Sequence, residues 1–232
     1  MRGIHEVPSS HRALKVLAVA SSERIDLLSA FQQGAVTALH CDAGGRLHAR
    51  AEPPGLLLPG AFNPIHDGHW GLAAVASEIT GLPAHFELSV TNVDKPPLSL
   101  EEIRWRLGQF SQRSCVWLTR AATFVDKARL FPGVVFVIGA DTAVRLVAPR
   151  YYQESEARMV DALGFLRKQG CRFLVAGRTD SAGCYLGLEQ IAMPGSFHDL
   201  FMAIPKPDFH IRVSSSDIRA LTRPVADRFA GD

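Results

Sequence analysis

Val134-Val135-Phe136-Val137-Ile138-Gly139-Ala140-Asp141-Thr142 is the stretch on which the fold turns. Its first five residues are apolar without interruption, and Gly139 closes the run. An unbroken apolar run, rather than alternation, is the pattern of a central parallel strand buried on both faces. Outward from it, Cys171 to Ala176 reads as another buried strand. Leu56-Leu57-Leu58, His85 to Val90 and Cys115 to Leu118 read as strands upstream, and Phe209 to Val213 as a last short one. Helical apolar spacing runs from His69 to Thr80 and stops at Gly81, a natural helix end. Leu100 to Gln112 reads as a helix with Ser99 as N-cap and Glu101 and Glu102 in its first turn, where they suit the helix dipole. Glu154 to Lys168 is amphipathic and stopped by Gly170, and a helix is expected from about Ser216 to Leu221. Strands alternating with helices predict an α/β, doubly wound (Rossmann-like) parallel sheet, with ligands at the C-terminal ends of its strands.

Residues 1–54 read differently. Ile25, Leu28 and Phe31 lie roughly on one face of a helical segment over 23–33. Ala35 to Leu39 and Arg46 to Ala49 flank Asp42-Ala43-Gly44-Gly45, which suggests a hairpin with a glycine turn. Ala51-Glu52-Pro53-Pro54-Gly55 reads as a linker. The sequence therefore divides into a small N-terminal extension, 1–54, and a main domain, 55–232.

The chain of 232 residues is 47% hydrophobic, enough for one sizeable core, and its net charge of +2 with scattered Lys and Arg gives no nucleic-acid surface. No apolar run approaches the ~20 residues of a membrane span, and residues 1–10 lack the apolar core of a signal peptide. Cys41, Cys115, Cys171 and Cys184 form no CxxC pair. Reduced, mostly buried thiols in a cytoplasmic protein are expected, with no zinc site.

Three stretches carry chemistry. Leu58-Pro59-Gly60-Ala61-Phe62-Asn63-Pro64-Ile65-His66-Asp67-Gly68-His69 runs from a strand end into a helix start, where free N–H groups and the positive end of the dipole suit a phosphate. Gly60 and Gly68 allow close backbone approach. His66 and His69, three apart, can face one anion; they could equally be a surface pair or half of a metal site. Ile138-Gly139-Ala140-Asp141-Thr142 ends the most apolar strand. There Gly139 would let a nucleotide lie against the backbone, and Asp141 is either a ribose ligand or the N-cap of a helix over 142–147. Ile211-Arg212-Val213-Ser214-Ser215-Ser216-Asp217-Ile218-Arg219 is either a serine cap with a surface arginine or an anion site with a forked cation.

The first stretch resembles the HxGH signature of the nucleotidylyltransferase superfamily. Its extended form, GxFNPxHxGH, is similar to that of the nicotinate- and nicotinamide-mononucleotide adenylyltransferases. The second resembles the G-A-D stretch that the family uses on its nucleotide. The third resembles ISSTxIR, with Val213 for Ile and Ser216 for Thr. The three occur in family order over roughly residues 56–221. Ala61 departs, standing where many relatives carry Ser or Thr. The resemblance implies adenylyl transfer from ATP, with Mg²⁺, to a phosphate-bearing acceptor such as nicotinamide or nicotinate mononucleotide, releasing pyrophosphate. It implies His66, His69 and Arg219 as catalytic residues. It implies Gly60, Ala61, Phe62, Asn63, Gly139, Asp141, Ser215 and Ser216 as nucleotide-binding residues.

Lys95, in Thr91-Asn92-Val93-Asp94-Lys95-Pro96-Pro97, either meets the acceptor phosphate or is a surface lysine. Arg104, Arg106, Lys127 and Arg178 are further cations, each read singly as solvated. Trp70, Trp105 and Trp117 are read as core side chains that could also stack on a base. The expected partners are a nucleoside triphosphate and a small phosphorylated acceptor, with no nucleic acid and no membrane; a homo-oligomer is compatible with all of this. Rival readings are a cytidylyltransferase, a pantetheine-phosphate adenylyltransferase and a non-catalytic nucleotide-binding regulator. A metal-dependent hydrolase lacks its carboxylate-rich motif.

Overall fold

The computed structural model describes residues 27–91, 96–179 and 183–205. A short helix over 27–32 (α1) leads into an antiparallel hairpin of β1 (Ala38–Cys41) and β2 (Leu47–His48). Asp42 turns it: its backbone carbonyl accepts from Gly45 N–H and its carboxylate from Arg46 N–H, both at 2.9 Å.

The main domain follows as β3 (Leu56–Pro59), α2 (Asp67–Thr80), β4 (Ala84–Ser89), α3 (Leu100–Gly108), β5 (Val116–Thr119), α4 (Phe124–Leu130), β6 (Val135–Gly139), α5 (Ala140–Leu146), α6 (Glu156–Lys168) and β7 (Arg172–Ala176). A small hairpin of β8 (Arg178–Thr179) and β9 (Tyr185–Leu186) and the strand β10 (Phe201–Ala203) come last.

Eight strands form one sheet in the order β10-β7-β6-β3-β4-β5-β1-β2. β10 through β5 run parallel, and β1 joins β5 antiparallel. With the parallel strands numbered in chain order, the sheet reads 6-5-4-1-2-3. That is the order of a doubly wound sheet, so the expected Rossmann-like α/β fold is present. Residues 38–48 add its antiparallel edge.

The chain reverses its winding between β3 and β6. One core lies on each face. Leu28 and Phe31 of α1, Ala73 and Ala76 of α2, and Ile103 and Leu107 of α3 pack on one side. Ala128 of α4, Ala140, Ala143 and Leu146 of α5, and Met159, Leu163 and Leu166 of α6 pack on the other. Phe136, Val137 and Ile138 are all buried, as a strand covered on both faces requires.

Some boundaries and elements depart from the sequence reading. α2 begins at Asp67, two residues before His69, because His66 itself caps it. α3 ends at Gly108. α5 begins at Ala140, which puts Asp141 in its first turn and makes Gly139 the N-cap. α4 was not expected, although Thr123 and Asp126 form the capping box that marks its start. The three-residue β10 was not expected either. The strand over 209–213 and the helix from Ser216 lie outside the described residues.

Candidate nucleotide site

β3 and β6 are hydrogen-bonded neighbours only through Leu56↔Val135 and Leu57↔Phe136. Beyond those pairs β3 runs on to Pro59 and β6 to Gly139 without a shared ladder. A crevice therefore opens at the C-terminal ends of the two central strands, where the winding reverses and where open α/β sheets bind ligands.

One wall of the crevice is the turn from β3 into α2. Gly60 N–H donates to the Glu87 carbonyl at 2.9 Å, which holds the turn to β4. Phe62 takes a left-handed conformation with φ +46° and folds its ring back over Gly60. A Cβ on Gly60 would come within 2.6 Å of that ring, so glycine is required there. Phe62 itself is buried edge-on against Phe86, Phe110 and His69.

Two side chains next to the end of α3 and within it grip this turn. Gln109 donates to the Phe62 carbonyl and accepts from Ile65 N–H, both at 2.9 Å. Arg106 donates to the Ala61 carbonyl at 3.1 Å and reaches Glu102 at 3.3 Å. Arg106 is therefore a buried clamp, not a solvated cation. Gln109 carried no motif; only the turn of helix it shares with Arg106 could have drawn attention to it.

His66 is the N-cap of α2, an unusual residue for a position that favours Ser, Thr, Asp or Asn. Its Nδ1 accepts from Gly68 N–H at 3.2 Å. In return His69 Nδ1 accepts from His66 N–H at 3.3 Å. The rings lie 3.9 Å apart between centroids. Each neutral imidazole has one donor and one acceptor nitrogen. With both Nδ1 atoms accepting, both Nε2 atoms carry the proton. The helix start thus holds two neighbouring N–H donors in a tautomer set by its own backbone. Burial, then the neighbouring His66, pushes the His69 pKa down from the ordinary 6.5 to about 4. His69 is therefore a neutral donor near pH 7. Asp67, exposed beside them, favours the helix dipole and opposes a bound anion.

The other wall is the end of β6. Gly139 is exposed, has ordinary backbone angles, and a Cβ there would meet nothing within 4 Å. Asp141 accepts from Arg178 at 2.6 Å, an ion pair that links the start of α5 to β8 beyond β7. Both side chains are about half exposed, at 52% for Arg178 and 49% for Asp141, so any ligand drawn to Asp141 meets a paired carboxylate. Asp141 is not the helix cap.

The remaining sequence candidates divide. Asn63 lies in the connection between β3 and α2, and Ala61, two residues before it, is exposed. Lys95, Ser215, Ser216 and Arg219 lie outside the described residues. Arg104 is exposed. Lys127, read singly as solvated, is buried: its Nζ reaches both Glu87 carboxylate oxygens at 2.7 and 2.9 Å and the Ala121 carbonyl at 2.9 Å. Thr119 also donates to Glu87. This network binds β4, β5 and α4 beneath the turn. Trp70 and Trp117 pack internally, against Phe86 and Phe131 respectively. Trp105 is 52% exposed, contrary to its reading as a core residue.

The fold and site together define an α/β protein with a histidine-capped helix start at the switch point of a doubly wound sheet. No family model matches the chain. It is similar to a Schizosaccharomyces pombe protein named "Putative nicotinamide mononucleotide adenylyltransferase", at 28% identity over 123 residues. The match covers 47% of this chain and 49% of that protein, so the chain spans about half the length of the relative it matches. The likeness supports a nucleotidylyltransferase-like relationship. No helix among the described residues is long and apolar enough to cross a membrane.

Proposed function

We propose that this chain is a nucleotidyltransferase that moves the adenylyl group of ATP onto a phosphate-bearing acceptor such as nicotinamide or nicotinate mononucleotide. The paired-histidine cap of α2 carries this reading, because it presents two preset N–H donors at a helix start beside the crevice. The similarity to a relative named for nicotinamide mononucleotide adenylylation supports the substrate class.

The chemistry fits such a site. A monophosphate acceptor has a second pKa of ~6 and is ionised near neutrality, so it needs no general base. Its oxygen attacks the α-phosphorus of ATP. The bond from that phosphorus to the bridging oxygen breaks, and pyrophosphate leaves with the electron pair. The barrier lies in bringing anions together and in stabilising charge on the leaving group, which positioning and preorganised donors supply. His66 and His69 hold the triphosphate oxygens as that charge builds. Ser215, Ser216 and Arg219 receive the pyrophosphate. Gly139 leaves room for the nucleoside, and Asp141 accepts from its ribose, in exchange for or shared with Arg178. Lys95 meets the acceptor phosphate. Mg²⁺ enters as part of the MgATP substrate, held by phosphates and water.

The test is pyrophosphate release with the purified full chain across a panel of triphosphates and phosphorylated acceptors. ATP together with a pyridine mononucleotide is expected to give the highest turnover. Preference for CTP would replace the adenylyl reading with a cytidylyl one. Calorimetric ATP binding without turnover on any acceptor would make the chain a nucleotide-binding regulator.

A further inference from the structure

At the opposite end of the parallel strands lies a cluster that nucleotidyl transfer does not use. We infer that His40, His85 and Cys115 form a site for a divalent transition-metal ion of the zinc class, which ties the edge hairpin to the parallel sheet. His40 stands on β1, His85 is the second residue of β4, and Cys115 immediately precedes β5. These strands are adjacent in the order β4-β5-β1. Each residue offers one ligand atom, and the three atoms lie within 4.8 Å of one another, all half-buried. The residues are far apart in the sequence and share no spacing motif. Only the antiparallel docking of β1 on β5 assembles them, so a search for CxxC pairs finds nothing.

Two imidazoles and one thiolate are a nitrogen–sulfur donor set. Such sets select zinc and its borderline-soft neighbours, not magnesium, which takes oxygen ligands. Bonds of about 2.0–2.3 Å to a tetrahedral ion imply ligand separations of roughly 3.3–3.6 Å. Small side-chain rotations that bring the atoms together by about 1 Å therefore complete three corners, and water fills the fourth.

The protonation states suit the ion. Trp117 Nε1–H donates to His85 Nδ1 at 3.3 Å, so that nitrogen already carries a lone pair and Nε2 the proton. A cation takes the lone pair over and releases the indole. Burial holds both His40 and His85 below the ordinary imidazole range, which keeps them neutral. Cys115 binds as the thiolate and gives up one proton per ion. His48, on β2, is engaged by Asp42 at 2.9 Å, and its ring lies 6.0 Å from that of His40. Because the cluster sits away from the C-terminal strand ends, the bound ion is structural, and its signature is stability.

The test uses the full chain, reduced and stripped with a chelator, then titrated anaerobically with Co²⁺. A sulfur-to-cobalt charge-transfer band is expected to saturate at one equivalent. Zn²⁺ should displace it and raise the melting temperature. Cys184→Ser, at an exposed cysteine, should keep the band, and Cys115→Ser should abolish it. His40→Gln and His85→Gln should each weaken Co²⁺ binding at least ~10-fold, and they decide the question if Cys115→Ser does not fold. Absence of the band at stoichiometric Co²⁺, its survival in Cys115→Ser, or unchanged affinity in both histidine variants would overturn the site and leave the cluster as packing around Trp117.

Discussion

Neutral His69 has consequences for both binding and stability. Its folded pKa of about 4 lies below the ordinary 6.5. Between those values the unfolded chain binds a proton that the folded chain refuses, so stability falls as pH drops from 6.5 towards 4 and is flat above. Urea unfolding at pH 7.5 and pH 5 should show a larger loss in the wild type than in His69→Gln. An equal loss in both would mean that the imidazole is not held neutral. On the functional side, His66→Ala and His69→Ala should each cut turnover at least ~100-fold if their donors stabilise the transition state; steady-state kinetics with unchanged kcat would defeat that role. Two glycines make a useful contrast. Gly60→Ala drives a Cβ into the boxed-in Phe62 ring and should destabilise the protein by about 1–3 kcal/mol. Gly139→Ala points into open space, so the melting temperature should hold while nucleotide affinity falls.

At the level of elements, the turn from β3 to α2 depends on α3. Gln109→Ala removes both bonds to the turn and should cost about 1–2 kcal/mol, with a raised KM for the triphosphate. Gln109→Glu keeps the acceptor for Ile65 N–H and should fall between that variant and the wild type. Beneath the turn, Lys127→Met strands the buried Glu87 carboxylate, at a cost of about 3–5 kcal/mol by chemical denaturation. Adding Glu87→Gln should recover most of that loss. This is also the scale at which the sequence was partly legible. Residues 60–69 announced a strand end followed by a helix start, and α2 does begin there, at Asp67. The exact cap was hidden, because histidine is a poor statistical marker for it. Arg106 and Lys127 looked like solvated cations, because their partners, the Ala61 carbonyl and Glu87, are contributed by other elements. No local pattern reveals a partner of that kind.

For the whole molecule, the alternation of apolar strands with helices was enough to give the doubly wound sheet, since a strand buried on both faces admits few architectures. What the sequence left out was how the N-terminal segment docks. Leu28, Phe31, Leu39, Cys41 and Leu47 are buried in the same core as Leu56, Leu58 and Phe86. Removal of residues 1–54 should therefore unfold the remaining chain rather than release a stable domain, as circular dichroism and size-exclusion chromatography would report. Leu39→Ala alone should cost about 2–5 kcal/mol. The rims of the sheet bear on another property. Among the described residues one rim is the two-residue β2, bent back by its turn, and the other is the three-residue β10. A broad, flat, apolar strand left at a rim would recruit the backbone of a second molecule. Among the described residues, edge strands this short offer little template for such recruitment, which disfavours growth of the sheet from either rim.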